Sequence, residues 1–392
     1  MAGGVAQGSN LYRTIGGRAV CRQLSAAFYA RVERDPLLRP LFPGKTLTCA
    51  VEEFAAFLAQ FLSGPAEDAQ SRWWLSLRES HLRFQIGRKE RDAWMNLMAQ
   101  ALDDVPIAEP ARSALRGFFE RASAYLVNHG PAPSVADHLS PSPGDGIHRE
   151  IARRWEVQRV LDEAVAAVRN GDSGRAITLA ERFTLDRALL AALLAVMISS
   201  SRASLLDYVH QQLRRDPALV RERSRGRTLL HEASATGSLA TVELLLQLGA
   251  DPRSADAGRH TPLYCVGNEC RAKGGGEVVR ALVRAGANVD ARDGVKRCTA
   301  LHMAARRDNV EVAAALLECG ADIEARDSLG DTSLRRAVNC DQTGVAALLL
   351  SQGADRNSKG SKGLTPLSAA RSSPMKRVLR PGMGRTPFQG PG

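Results

Sequence analysis

The stretch HLRFQIGRKERDAW, residues 81–94, places one histidine ahead of a short apolar step and a charged helix start. No other histidine occurs between Leu11 and Asn128, although this segment is rich in aromatic residues. Apolar residues recur at helical spacing on both sides of the stretch, which predicts about five amphipathic helices in a domain spanning residues 11–129. An imidazole among such helices is either a structural residue of the core or the ligand of a metal or cofactor.

Blocks on both sides of this stretch follow one another in a characteristic order. They are LYRTIGG from Leu11, FY at Phe28, DPLL at Asp35, LFP at Leu41, FLSGP at Phe61, SHLRFQIG at Ser80 and ERDAW at Glu90. Across residues 11–128 the chain therefore resembles the group II truncated haemoglobins. The resemblance implies a two-over-two sandwich of helices around haem b, with His81 as the proximal ligand of the iron. The chemistry agrees with this assignment, because haem iron needs an axial donor and neutral imidazole supplies one.

The resemblance also assigns the opposite, distal side of the haem. The hydroxyl of Tyr29 would hydrogen-bond to the bound ligand, and the indole of Trp94 would be a second donor, which is a marker of this group. Because residues 11–128 hold one histidine, the iron keeps an open face for O2. O–H and N–H donors directed at O2 would slow its release, since O2 held by iron carries partial negative charge.

Further roles follow from the same resemblance. Phe42 would pack on the haem at a tight corner, and Ala50 and Phe54 would face the iron from the distal helix. Arg78, one helical turn before His81, would meet a haem propionate, with a solvated arginine as the alternative reading.

The chain departs from the family ahead of the proximal helix. The family usually has Gly-His-Pro there, where this chain has SRWWLSLRES. Trp73 and Trp74 are expected either to shield the haem edge or to serve as packing residues. No Cys-x-x-Cys-His occurs, which excludes covalent c-type haem. The tetrapeptide PGKT from Pro43 lacks the earlier glycine of a phosphate-binding loop, since Arg39 stands at that position.

The second half of the chain repeats one motif. The copies are TLLHEA at Thr228, TPLYCV at Thr261, TALHMA at Thr299, TSLRRA at Thr332 and TPLSAA at Thr365. Successive copies are about 33 residues apart, except for one longer step after Thr261, where extra residues predict a longer loop between two helices. This period and opening motif resemble the ankyrin repeats. Residues 226–373 are therefore predicted to form a solenoid of helix pairs with hairpin loops, a fold that usually presents a surface to a protein partner.

Composition shifts set the other boundaries. Residues 1–10 are predicted to be disordered, and the proline-rich residues 130–146 are predicted to be a linker. Residues 147–225 keep a helix–turn–helix rhythm without the opening motif and are predicted to be diverged ankyrin-like repeats that cap the stack. Residues 374–392 are predicted to be a basic, disordered tail. The whole chain is thus expected to be all-α.

Charge and cysteine content indicate which partners and which compartment to expect for the protein. The net charge of +11 is unevenly spread, because residues 1–130 hold 16 Lys and Arg against 13 Asp and Glu, while residues 371–392 hold five cations and no acid. This distribution argues against nucleic acid as the partner. No apolar run reaches about 18 residues, so no membrane span is expected. Seven cysteines without a Cys-x-x-Cys pair and an N-terminus without a secretory signal predict reduced thiols in the cytoplasm.

Three functions remain open at this point. The first is reversible binding of O2, or of NO or CO, by a globin whose ankyrin repeats bind an unidentified protein, as in a gas or redox sensor or adaptor. The second is redox catalysis at the same iron, either NO dioxygenation or peroxidase activity. The third is a scaffold without haem. The ligand-binding residues are all present, which argues against the third, and the chain shows no flavin or nicotinamide domain, which favours the first.

Overall fold

The computed structural model describes residues 11–42, 44, 46–62, 64, 76–130 and 146–380. The disordered N-terminus and most of the linker predicted from the sequence lie outside these ranges. By its internal contacts the chain divides into two units, Met1–Arg182 and Phe183–Gly392. Within the described residues, no helix is both long and apolar enough to span a membrane. All seven cysteines are free thiols.

The first unit is helical throughout its described residues. Its helices are α1 (Leu11–Thr14), α2 (Gly17–Val32), α3 (Thr48–Phe61), α4 (Leu77–His81), α5 (Arg88–Asp104), α6 (Ala111–Leu126), α7 (Gly146–Asn170) and α8 (Ser173–Ala180), with 3-10 turns at Arg39–Leu41 and Glu181–Phe183. Helix α2 packs against α3 and α5, and α5 packs against α6. These contacts surround an apolar core, in which Phe28, Phe118 and Met98 are almost fully buried.

The ends of these helices follow from local sequence. Helix α2 begins after Gly16, whose φ of 104° lies in the left-handed region that only glycine adopts at little cost. A Cβ at this position would lie 2.3 Å from a methyl group of Val20. Helix α4 begins after Ser76, whose hydroxyl accepts the Glu79 N–H at 3.1 Å as an N-cap. It ends at His81.

Helix α7 belongs to the first unit, although the sequence pattern groups residues 147–225 with the repeats. It packs against α6 and α4. Ile151 and Trp155 enter the same core as Phe118, and the rings of Trp155 and Phe118 are 5.8 Å apart. The helix–turn–helix rhythm of residues 147–225 predicts a helix here but does not show which helices it packs against.

The second unit is a stack of helix pairs. Its elements are α9 (Arg187–Ser200), α10 (Ala203–Arg215), β1 (Arg223–Ser224), β2 (Arg227–Thr228), α11 (Leu229–Thr236), α12 (Leu239–Gln247), α13 (Pro262–Glu269), α14 (Gly275–Arg284), α15 (Ala300–Arg307), α16 (Val310–Glu318), α17 (Ser333–Asn339), α18 (Thr343–Ser351), α19 (Pro366–Ala369) and α20 (Ser373–Leu379), with 3-10 turns at Pro217–Arg221 and Ser361–Gly363. Strands β1 and β2 form an antiparallel hairpin. Helices α11, α13, α15 and α17 stack in that order, and α12, α14, α16 and α18 stack beside them.

The repeat motif explains how each pair is built. Hydroxyls of the motif threonines accept an N–H in the first helical turn, at 3.3 Å for Thr261 and 3.3 Å for Thr332. A glycine in the left-handed region follows the second helix of four pairs, α12, α14, α16 and α18, at Gly249, Gly286, Gly320 and Gly353. The predicted longer loop lies between α13 and α14. Helices α9 and α10 stack on α11 and α12, so this part of the predicted cap joins the stack.

The first residues of the segment predicted to be a disordered tail are helical in the structure. Residues Ser373–Leu379 form helix α20, which packs on α18 and α19. Met375 and Leu379 are 0% and 2% exposed. Two apolar residues one helical turn apart are enough to attach this segment to the last repeat. The rest of the predicted tail, from residue 381, lies outside the described residues.

Candidate functional site

A cavity of about 380 Å³ lies within the first unit. This volume falls in the range of about 300–1,000 Å³ that small-molecule and cofactor sites occupy. Its walls are mostly aromatic and aliphatic: Phe28, Tyr29, Leu38, Leu41, Phe42, Leu47, Phe54, Phe57, Phe84, Ile86, Trp94, Phe118, Phe119 and Leu126. An apolar ligand with few polar groups suits such a lining.

His81 lines the cavity from the end of α4, and its hydrogen bonds define its tautomer. Its Nδ1 lies 2.7 Å from the carbonyl oxygen of Leu77. A carbonyl only accepts, so Nδ1 carries the hydrogen and Nε2 is left with a free lone pair. The hydroxyl of Ser80 lies 2.8 Å from Nδ1 and also donates to the Leu77 carbonyl, at 2.6 Å. A neutral imidazole held in this way has one nitrogen available as a metal ligand.

The charge state of His81 fits the same role. Burial lowers the pKa of His81, and the nearby Arg83 guanidinium lowers it further, while the hydrogen bond to the Leu77 carbonyl opposes both effects. The imidazole is therefore neutral at neutral pH, which is the form that binds metals.

Two aromatic side chains that carry an N–H or O–H donor line the cavity with His81. Tyr29 on α2 packs edge-on to Phe42, with ring centroids 5.5 Å apart. Burial, followed by the carboxylate of Glu53, raises the pKa of Tyr29, so its phenol stays protonated and able to donate. Trp94 on α5 packs against Phe28 at 5.1 Å, and its indole N–H is a donor only.

The other residues predicted for the corner and the distal helix also border the cavity. Phe42 follows the 3-10 turn at Arg39–Leu41 and meets Phe84 at 5.9 Å. Ala50 and Phe54 lie one turn apart on α3, and therefore on one face of that helix. Thus six of the seven residues predicted from the sequence line one cavity.

Comparison with known proteins identifies this arrangement. Residues 10–128 match the family model of bacterial-like globins. The Group 2 truncated hemoglobin YjbI of Bacillus subtilis (strain 168) is 35% identical over 116 residues, which are 30% of this chain and 87% of that protein. The chain belongs to the group 2 truncated haemoglobin family. A hemoglobin of known crystal structure, from the thermophilic phototrophic bacterium Chloroflexus aurantiacus, is 40% identical, with 31% of this chain and 100% of that chain covered and a TM-score of 0.30.

The second unit carries the other family. Residues 225–257 match the ankyrin repeat, and residues 268–360 match a model of three ankyrin copies. The predicted combination of a globin with an ankyrin solenoid is confirmed. The motif histidines are structural: Nδ1 of His231 accepts the Thr228 N–H at 3.2 Å, while its Nε2–H donates to the carbonyl of His260 at 3.0 Å. His302 makes the equivalent pair of bonds, with the Thr299 N–H of its own repeat and the carbonyl of Asp331 at the next one.

Arg78 is the predicted site residue that the globin cavity does not include. Its guanidinium lies over the ring of Tyr125, 5.4 Å from the ring centroid. Arg83 and Arg91 border the cavity instead. Arg91 precedes Trp94 by three residues on α5, so helical spacing was a signal that could have found it. Trp73 and Trp74 lie outside the described residues.

Asn128 supports the site, although no motif in the sequence indicates this role. It follows α6 and binds the loop after His81, which spans residues 82–87. Its Nδ2 donates to the carbonyl of Phe84 at 2.8 Å, and its Oδ1 accepts the N–H of Ile86 at 2.9 Å. Both Phe84 and Ile86 line the cavity, so this amide helps to hold the loop that forms part of the cavity wall, together with the backbone N–H groups of Asn128 and His129, which donate to the Ile86 carbonyl.

Proposed function

We propose that this truncated haemoglobin binds haem b through His81 and uses it to bind O2, or another diatomic gas such as NO or CO, reversibly. The ankyrin repeats then bind a protein partner, so the chain acts as a gas or redox sensor or adaptor. The tautomer of His81 carries the proposal. The Nδ1–H of His81 donates to the Leu77 carbonyl, so Nε2 keeps a free lone pair. His81 lines an apolar cavity.

The residues of the cavity fit haem b. A planar, largely apolar macrocycle matches walls made of phenylalanine, leucine and isoleucine side chains. Tyr29, Phe42, Phe54 and Trp94 pack against the core yet remain only partly buried, because they border the cavity. Arg83 and Arg91 offer cations for the two propionates. When bound, haem would supply the iron atom that takes up a diatomic gas.

Tyr29 and Trp94 determine how firmly the gas is held. A phenol and an indole N–H both donate hydrogen bonds, and neither can take the place of an imidazole as a strong neutral ligand. In a cavity lined by apolar residues these donors meet little competition from water, which strengthens their bonds. O2 retention, rather than fast release, is therefore the behaviour that these residues favour.

The ankyrin unit supplies the interaction surface in this proposal. Repeat stacks present an extended face and bind other proteins far more often than they catalyse reactions. The free thiols of the chain fit a reducing compartment, and we place the protein in the cytoplasm.

Visible absorption spectra of the purified full-length chain test the haem assignment. The wild-type protein should show haem bands that respond to reduction and to CO. His81→Ala should fold but lose most of its haem, because the cavity then lacks its axial donor. His129→Ala is the matched control, since His129 is exposed and is not among the residues lining the cavity. Full haem retention by His81→Ala with an unchanged spectrum contradicts the assignment.

A further inference from the structure

Helix α7 lies beyond residues 10–128 that match the globin family model, yet it reaches the helix that carries His81. Asp162 on α7 is 2% exposed. Its Oδ1 accepts the N–H of Leu77 at 2.7 Å, and its Oδ2 accepts the N–H of Arg78 at 3.3 Å. Leu77 and Arg78 are the first two residues of α4, which ends at His81. A buried carboxylate from outside the matched region therefore holds the start of the histidine's helix.

One peptide group joins Asp162 to His81. The C=O of Leu77 and the N–H of Arg78 belong to the same planar amide. Its N–H donates to Asp162, and its carbonyl accepts the Nδ1–H of His81 at 2.7 Å. Hydrogen bonds in series polarise one another, so negative charge on Asp162 makes this carbonyl a stronger acceptor. A stronger acceptor increases electron density on the imidazole ring and so at Nε2.

Burial raises the pKa of the Asp162 carboxyl, and hydrogen bonds from its neighbours oppose this rise and favour the ionised carboxylate. The amides of Leu77 and Arg78 donate to it, and so does the side-chain amide of Gln158, at 3.0 Å. A carboxylate accepts all three bonds without carrying a proton. A buried charge with several donors is far less costly than one without partners.

Other contacts keep α7 in place on both sides of Asp162. Arg169 forms an ion pair with Glu79 of α4 at 3.0 Å, and Arg154 donates to the carbonyl of Phe61 at 2.9 Å. Trp155 lies in the core of the unit. Arg154 and Trp155 fix α7 to parts of the unit other than α4, so Asp162 cannot easily follow a movement of α4.

We propose that Asp162 is a positioning residue for His81: through the amide between Leu77 and Arg78 it orients the imidazole and strengthens it as an iron ligand. The inference rests on the proposed function, because it concerns the same imidazole. It also extends the structural unit of the haem site from residue 128 to α7, the helix that continues toward the second unit in the chain.

Resonance Raman spectroscopy of the reduced full-length protein tests the proposal, because the iron–histidine stretching frequency reports the strength of the imidazole as a ligand. Asp162→Asn keeps the size and one acceptor oxygen but removes the charge. We expect a lower stretching frequency and a higher reduction potential in this variant. Glu163→Gln is the matched control: it removes a charge one residue along α7, from a side chain 37% exposed that pairs with Arg175. It should leave both values as in the wild type.

A second readout needs no haem. In the haem-free full-length protein, Asp162→Ala should speed hydrogen exchange at the amides of Leu77 and Arg78 by about tenfold or more, since bonds to a charged acceptor are lost. Glu163→Gln should leave these rates unchanged. If Asp162→Asn does not retain haem, this exchange decides: faster exchange at the two amides supports the proposal, and unchanged exchange overturns it.

A purely structural role for Asp162 gives a different result. An unchanged stretching frequency in haem-bearing Asp162→Asn overturns the proposal, whatever the exchange rates. Failure of the proposed function is recognised separately, because the wild-type chain would then bind no haem at all. The exchange experiment would still show whether Asp162 holds α4.

Discussion

Trp155 meets Tyr125 edge to face, with ring centroids 5.5 Å apart and ring planes at 85°. Tyr125 belongs to α6, the last helix that matches the globin family model, whereas Trp155 belongs to α7 beyond it. The indole is 7% exposed. The globin core of this protein is therefore completed by a side chain from outside the matched region.

We predict that Trp155→Ala destabilises the globin unit. Removing a buried indole leaves a cavity and typically costs about 3–5 kcal/mol of unfolding free energy. Urea unfolding of the full-length chain, followed by haem absorbance, reports this unit separately from the repeats. Trp155→Phe keeps an aromatic ring and should lose less unfolding free energy than Trp155→Ala. An unfolding free energy equal to that of the wild type in Trp155→Ala would show that α7 is only loosely attached.

The donors of Tyr29 and Trp94 should slow the release of O2. A hydrogen bond involving a charged partner contributes about 1.5–3 kcal/mol, and each 1.4 kcal/mol corresponds to a factor of ten in an equilibrium constant. Tyr29→Phe and Trp94→Phe should therefore each speed O2 dissociation by about tenfold or more in stopped-flow measurements. CO is the internal control, because it is less polarised when bound and should respond less. Equal, small changes for both gases argue against hydrogen bonding by these residues.

Much of the site could be predicted because its signals are local. His81 is the only imidazole from Leu11 to Asn128, and Ala50 and Phe54 share a helix face by spacing alone. The role of Arg78 stays a prediction, because spacing relates it to His81 but says nothing of its neighbour in the structure, the ring of Tyr125. That contact is set by how α4 lies on α6, which depends on packing between distant parts of the chain.

The role of α7 was missed for the same physical reason. An amphipathic helix must bury its apolar face, yet its sequence does not name the partner. The bond from Asp162 to Leu77 joins residues 85 positions apart, and a lone aspartate within a helix gives no signal of it. The repeats are easier to predict, because each glycine, threonine and histidine of the motif acts within its own repeat or the next one.

Gly267 should be intolerant of substitution. It lies on α13, and a Cβ there would approach the carbonyl oxygen of Ala300 to 2.5 Å, closer than real contacts allow. Gly267→Ala must push α13 away from the following repeat, and such overpacking costs about 1–3 kcal/mol. Urea unfolding of the ankyrin unit, monitored by hydrogen exchange, measures the loss of unfolding free energy.

Ser234 offers a matched control, because it occupies the same repeat position, six residues after the motif threonine. Its buried hydroxyl has no hydrogen-bond partner among the described residues. Ser234→Ala should therefore leave stability unchanged or raise it slightly. If Gly267→Ala and Ser234→Ala behave alike, the close approach at Gly267 does not limit the packing of the two repeats.

The ankyrin unit should lose stability in mild acid through His231. Burial lowers the pKa of His231 to about 4, from an ordinary value of 6.5, and the Arg227 guanidinium adds to this effect while Asp256 opposes it. Between these values the unfolded chain binds a proton that the folded chain excludes. Stability is therefore independent of this group above pH 6.5, falls as the pH decreases below it, and levels off below about 4. The shift corresponds to roughly 3 kcal/mol at most.

The geometry gives the reason for this sign. Nδ1 of His231 accepts the Thr228 N–H, so a proton on that nitrogen would set two donors against each other inside the repeat. His231→Gln keeps an acceptor but does not titrate in this range. Urea unfolding free energies measured from pH 7.5 to 4 should fall less steeply for His231→Gln than for the wild type, with the difference confined to the interval below pH 6.5. Parallel curves for the two proteins would show that the histidine is protonated in the folded repeat without cost, and that the Thr228 hydrogen bond does not hold it neutral.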